Sequence, residues 1–240
     1  MKPAPTRHAS ARLVCFDLGG VLVHICDGWT DACRRAGVGP IESKTDPAAV
    51  AAHLAAATHA LEVGRLPFTE FTQRVAAATG LTPEQVRRVA EAWVHGPFPG
   101  VADLLAALRN AGLATACLSN TNAYHWERMS ASHGPVSVPL ALLTHRFASH
   151  EIGLAKPDAA AFEHVERTCG VSGEAILFFD DRAENCRAAA ARGWHACPIT
   201  PGDPVAQIRA ELSRRKLSIA DAADIRPAAP RPARRRTGPG

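Results

Sequence analysis

The sequence predicts an α/β protein, a doubly wound parallel sheet with a small helical module inserted near its start. Three observations point there. Short apolar runs bounded by polar or glycine residues recur along the chain, the pattern of parallel strands buried on both faces. Helical patterns lie between them and close on glycines. Residues 25–97 break this rhythm, holding several helical patterns and no strand.

In chain order, the first strand is predicted at 12–16 (RLVCF). The module follows, with helical patterns at 29–36, 48–61, 68–79 and 83–93. The last opens on Thr82-Pro83-Glu84-Gln85, which supplies an N-cap, a proline at the first helical position and a capping-box partner. Gly96-Pro97-Phe98-Pro99-Gly100 reads as a stiff link back to the sheet. A helix at 101–111 stops at Gly112, and ATACL at 114–118 forms the next strand. A helix at 159–169 ends before Gly170, AILFF at 175–179 is a strand, a helix at 183–192 ends before Gly193, and HACPI at 195–199 is the last strand. Strands alternating with helices wind a parallel sheet. The chain therefore divides into a loose leader (1–11), a core (12–24 and 98–215), a helical module (25–97) and a basic Pro/Arg-rich tail (216–240) expected to be disordered.

Composition narrows the class. A chain of 240 residues, 47% of them hydrophobic, can bury one sizeable core with a smaller insertion. The seven cysteines are scattered without a CxxC, so neither a zinc knuckle nor a redox pair is suggested. An odd cysteine count, a first segment (MKPAPTRHASA) without an apolar stretch and no run long enough to span a bilayer lead to the expectation of a soluble, cytoplasmic protein with no membrane partner. The net charge of +4 arises from the tail, which carries five Arg and no acid after residue 225. That tail reads as a solvated terminus rather than a nucleic-acid arm. Oligomeric state is not legible.

Four positions carry chemistry. Asp17-Leu18-Gly19-Gly20 follows the first strand, where open α/β sheets bind ligands. Asp17 can act there as nucleophile or metal ligand, with Gly20 letting the backbone approach an anion; alone, the same Asp would cap a turn. Ser119 and Asn120 follow the second strand and open onto a helix, a hydroxyl and backbone N–H groups that suit an anion and equally suit an ordinary cap. Lys156-Pro157 precedes another helix, with Pro157 expected in its first turn. A cation at the positive end of a helix is misplaced unless both grip one anion. Asp180-Asp181 ends the third strand, and two adjacent carboxylates raise each other's pKa unless a cation such as Mg²⁺ joins them. Asn185, one helical turn on, is placed to orient a ligand or Lys156. Together these supply the parts of phosphoryl transfer through an aspartyl phosphate.

The order Asp17, Ser119, Lys156, Asp180-Asp181 resembles the four motifs of haloacid-dehalogenase-like hydrolases over roughly residues 12–205. The helical module resembles the cap of that superfamily's Rossmann-like core. FDLGGVL, LSNTN, GLAKPD and FFDDRAEN resemble the branch containing bacterial α-D-glucose-1-phosphate phosphatase. The resemblance implies that Asp17 attacks phosphorus and binds Mg²⁺, and that the Gly19 carbonyl shares that metal. Ser119, Asn120, Lys156 and Gly20 would hold the phosphate. Asp181 would be the main second metal ligand, with Asp180 and Asn185 supporting. The substrate implied is a small phosphorylated metabolite such as a sugar phosphate.

One position departs from the superfamily's common pattern. Gly19 stands where a second Asp usually serves as general acid, a role worth about 10²- to 10⁴-fold. The expected preference is thus for sugar 1-phosphates or acyl phosphates, whose leaving groups need less protonation. His24 at the end of an apolar run reads as structural. Glu62, Arg65 and His95 are the module's candidates for substrate contact. The competing readings are a metal-free dehalogenase, disfavoured by the acid pair, and a non-catalytic phosphometabolite binder. A receiver-type signalling domain fits less well, because there the acid pair comes first.

Overall fold

The structure is a computed structural model describing residues 11–41, 46–217 and 219. Nearly all of the expected leader, and all of the expected tail after residue 219, lie outside the described residues.

Strand β1 (Leu13–Phe16) is the centre of a five-stranded sheet. It pairs in parallel with β4 (Ala114–Ser119) on one side and β6 (Ile176–Asp180) on the other. Strands β5 (His145–Ala148) and β7 (His195–Pro198) complete the order β5-β4-β1-β6-β7. Side chains alternate across β1. Val14 and Phe16 pack with the helices α5 (Val101–Asn110) and α10 (Pro204–Arg214), while Leu13 and Cys15 face α8 (Ala159–Cys169) and α9 (Ala183–Ala191). A two-residue period with both faces apolar requires helices on both faces. That is the doubly wound α/β architecture the apolar runs predicted.

The inserted module consists of α1 (Trp29–Arg35), α2 (Pro47–Glu62), α3 (Phe68–Thr79) and α4 (Pro83–Trp93). The capping box on α4 forms as read, Thr82 accepting from the Gln85 N–H and Gln85 accepting from the Thr82 N–H. Two small apolar clusters hold the module, one of them between α2, α3 and Val86 of α4.

Three expectations need correction. Residues 23–25 and 94–97 are not strand-free or merely a stiff link. They form β2 (Val23–Ile25) and β3 (Val94–Pro97), an antiparallel ribbon carrying the chain between sheet and module. Each is too short and too interrupted by His, Gly and Pro to show strand periodicity, and each finds its partner some 70 positions away, roughly the length of the insertion. Strand β5 was also not predicted. It lies at the sheet edge, where only Phe147 and Ala148 of its four residues are buried. Pro157 does not enter α8, which begins at Ala159 behind Asp158; the Lys156–Pro157 peptide is cis.

The module touches the core at a defined point. The turn after α2 passes through Gly64 at φ 72°, and a Cβ there would lie 2.5 Å from the carbonyl oxygen of His150, in the short helix α7 (Ser149–Ile152). Only glycine permits both that backbone conformation and that approach. The contact lays the end of α2, including Glu62, over the carboxyl ends of the strands.

Candidate active site

The chemistry gathers where three strands end side by side. Phe16 is in register with Cys117 and Phe179, so Asp17, Ser119 and Asp180 emerge together at the carboxyl edge of the sheet. Asp17 is anchored by its backbone N–H, which donates to the Phe179 carbonyl at 2.8 Å, and by its Oδ1, which accepts from the Leu18 N–H at 2.6 Å. Ser119 is the last residue of β4. The helix beyond it, α6 (Ala123–Ser130), starts later and is capped by Asn122.

Lys156 is the electrostatic centre. Its ammonium lies 3.0 Å from Asp17 Oδ2 and 2.7 Å from Asp180 Oδ2, with its side chain fully buried. Its backbone is held by Asn120, whose Oδ1 accepts from the Lys156 N–H at 2.9 Å and whose Nδ2 donates to the Lys156 carbonyl at 2.8 Å. Asp180 also accepts two hydrogen bonds from Asn185 Nδ2, at 2.9 and 3.0 Å, and one from the Arg182 N–H at 2.9 Å. Asn120 and Asn185 therefore act on protein groups. The Asn120 side chain is not directed to an anion, and Asn185 reaches Lys156 only through Asp180.

Asp181 differs from its neighbour. It is exposed, and among the described residues no side chain bonds to it. One oxygen from each of Asp17, Asp180 and Asp181 falls within 4.8 Å of the others. Burial pushes the Asp17 carboxyl up to about 7; Lys156 holds it down, while Asp180 and Asp181 add to the rise. Burial and Asp180 also raise Asp181. Burial alone would lower Lys156, but Asp17 and Asp180 outweigh it and leave its pKa raised. Three carboxylates against one ammonium leave negative charge uncompensated, and the donors are all oxygen. That set suits a hard cation such as Mg²⁺ better than a soft one.

The glycines after Asp17 are shaped by this cluster. Gly20 sits at φ 70°, and a side chain there would collide with the Asp181 carboxylate. At Gly19 a Cβ would lie 2.8 Å from Ile25 Cδ1, so the place of the missing acid is covered by an apolar side chain.

A cavity of about 620 Å³ opens above these groups, between core and cap. Glu62 lines it; Arg65 and His95 do not. Arg65 instead contacts His59, and His95 contacts the Cys26 thiol. Burial raises the Glu62 carboxyl pKa, against the charges of Arg182 and Lys156. His24 reaches the cavity but rests on the Phe98 ring at 3.5 Å, and burial followed by Arg35 lowers its pKa, which favours a neutral ring. The sequence reading missed Arg182, Thr58 and His125, which also line the cavity. Arg182 adjoins the acid pair and could have been flagged by adjacency. Thr58 lies on α2 of the cap and His125 on α6 of the core, and only the packing of cap on core brings both to one cavity.

Residues 11–193 match the family described as haloacid dehalogenase-like hydrolase. "Phosphatase MT3486" from Mycobacterium tuberculosis is 31% identical over 138 residues, 54% of this chain and 60% of that protein's length. A predicted HAD-like family hydrolase from Porphyromonas gingivalis superposes with a TM-score of 0.67 at 26% identity, over 85% of this chain and 98% of that one. HAD family enzyme bt-2542 from Bacteroides thetaiotaomicron superposes with a TM-score of 0.68 at 22% identity, over 81% and 96% of the two chains. The last of these likenesses concerns the fold.

Proposed function

Because the chain belongs to the haloacid dehalogenase-like hydrolases, we propose that it is a magnesium-dependent phosphatase acting on small phosphomonoesters through an aspartyl phosphate on Asp17. The observation carrying this reading is the division of labour between the paired acids. Asp180 is turned inward to Lys156, Asn185 and backbone, whereas Asp181 is left open beside Asp17. Left open beside Asp17, the Asp181 carboxylate can share a hard cation with the nucleophile. The phosphatase name of the mycobacterial relative supports the reading, as does the crystallisation of the Bacteroides enzyme with magnesium and inorganic phosphate.

In this reading Asp17 attacks phosphorus, and Ser119 and Lys156 hold the non-bridging oxygens. Carboxylate oxygens of Asp17 and Asp181, the Gly19 carbonyl and Asp180 behind them would hold Mg²⁺, which neutralises phosphate charge. Water then cleaves the aspartyl phosphate and frees Asp17. Purified protein should release p-nitrophenolate from p-nitrophenyl phosphate with Mg²⁺, stop in EDTA and resume on adding Mg²⁺. Absence of turnover with any divalent cation, or halide release from 2-haloacids in EDTA, would overturn the assignment.

The leaving-group proton has a candidate source. Gly19 cannot give it and His24 is held toward neutrality, but Glu62 hangs over the site from the cap with its pKa raised. We assign it the role of general acid. The sign follows: the donor must be protonated, so activity on alkyl phosphates falls as pH rises through the Glu62 pKa. Glu62→Gln should lower kcat for alkyl phosphates by about 10²-fold or more, erase that alkaline limb and largely spare acetyl phosphate. An unchanged pH–rate profile in the variant argues against the role.

A further inference from the structure

The phosphate-handling edge of the cavity is polar, but its walls are not. Trp29, Leu61, Phe68, Phe71 and Trp93 from the cap face Ile25, Phe98 and Met129 from the core. Among the described residues Ile25, at 37%, is the large apolar side chain left exposed, and it lies against Gly19 directly beyond the nucleophile. Trp29 stands edge-on to Trp93 with ring centroids 5.8 Å apart and tilts toward Phe71 at 6.4 Å.

The polar side chains on the same wall are largely engaged already. Asn122 Oδ1 accepts from the His125 N–H at 3.0 Å, and its Nδ2 meets His125 Nδ1 at 3.1 Å. The other ring nitrogen of His125 bonds the Ala90 carbonyl at 2.8 Å. Thr200 pairs with Gln207, and the Cys26 thiol donates to the Ala92 carbonyl. Asn120 and Asn185 hold Lys156 and Asp180. The polar groups the cap leaves for a ligand are few: the Asp27 and Glu62 carboxylates, the Thr58 hydroxyl and the indole N–H groups of Trp29 and Trp93, whose rings are otherwise apolar. A sugar brings several hydroxyls, and each hydroxyl taken from water without a partner costs binding energy. A ring system brings apolar area that these walls can cover.

Resting on the phosphatase reading above, we infer that the substrate is a phosphomonoester whose leaving group is apolar and aromatic rather than a sugar. The motifs resembling the glucose-1-phosphate branch surround the phosphate; the leaving group is met by the cap and by Ile25, which those motifs do not contain.

The test compares kcat/KM for benzyl phosphate and glucose 6-phosphate with Mg²⁺. Both are esters of primary alcohols, so their leaving groups are close in acidity and differ chiefly in polarity. Acetyl phosphate, which brings neither ring nor sugar, reports whether phosphatase chemistry is present. The inference expects benzyl phosphate to be preferred by at least about tenfold, with the ratio falling several-fold in Trp93→Ala and in Ile25→Ser. Ile25 is exposed, so the second variant tests the wall without opening the core. Equal or better turnover of glucose 6-phosphate, or a ratio unmoved in both variants, overturns the inference while leaving the phosphatase reading intact. Failure to turn over all three compounds removes the phosphatase reading, and the inference falls with it.

Discussion

Asp17→Asn should abolish steady turnover, lowering kcat by roughly four to six orders of magnitude, the scale on which removing a nucleophile leaves only residual catalysis. The substitution is isosteric, and its Oδ1 can still accept the Leu18 N–H. Lys156 keeps Asp180 as its partner at 2.7 Å. The carboxyl being replaced is held up to about 7 by burial, so its ionised form is costly where it sits. The variant should therefore be at least as stable as the parent at pH 8, as checked by urea unfolding in EDTA, while phosphate release disappears. Retained turnover in a well-folded variant would show that Asp17 is not the nucleophile.

Lys156→Met should damage both stability and activity. It removes a buried ammonium lying between two carboxylates and leaves them facing each other in the interior. Breaking a buried ion pair by deleting one partner costs about 3–5 kcal/mol. The pH dependence has a definite sign. A carboxyl whose folded pKa is raised keeps its full contribution below the unfolded value, near 3.8 for Asp17, and loses it as pH rises through the folded value. Without Lys156 that folded value rises further. The stability deficit, measured in EDTA, should thus be small near pH 4 and widen toward pH 8. Phosphate release should fall by at least about 10³-fold even where the variant remains folded, because a charge clamp on the phosphoryl oxygens is lost. A deficit no larger at pH 8 than at pH 4 would mean that Lys156 does not hold the charge of these carboxylates in the interior.

Much of this arrangement was legible in the chain. The strands ending at Phe16, Ser119 and Asp180 could be read because strands buried on both faces leave near-continuous apolar runs, and ligands bind at the carboxyl ends of such strands. The helix starts at Phe68, Pro83, Ala159 and Ala183 were legible because proline, capping residues and terminal glycines act locally. Strands β2, β3 and β5 were not legible. Their four or fewer residues are stabilised by partners distant in sequence, and no local pattern records such pairing.

For the site, residue type and chain order pointed to Asp17, Ser119, Lys156 and the acid pair, since phosphoryl transfer needs those groups whatever holds them. Chain order could not say that Asn120 would grip the Lys156 backbone or that Asn185 would serve Asp180. It also could not separate Glu62 from Arg65 and His95, because no local pattern records that Glu62 turns to the cavity, Arg65 three positions on to His59, and His95 in β3 to Cys26. That choice belongs to the tertiary structure. Docking of the Gly64 turn on His150 brings Glu62 to the cavity above Asp17, and the packing of Trp29, Trp93 and Ile25 gives the cavity walls their apolar character. The sequence by itself determined which groups stand ready for the proposed chemistry at phosphorus, because they adjoin strand ends. The surface that would meet the leaving group was decided by the fold, through side chains brought together from distant parts of the chain.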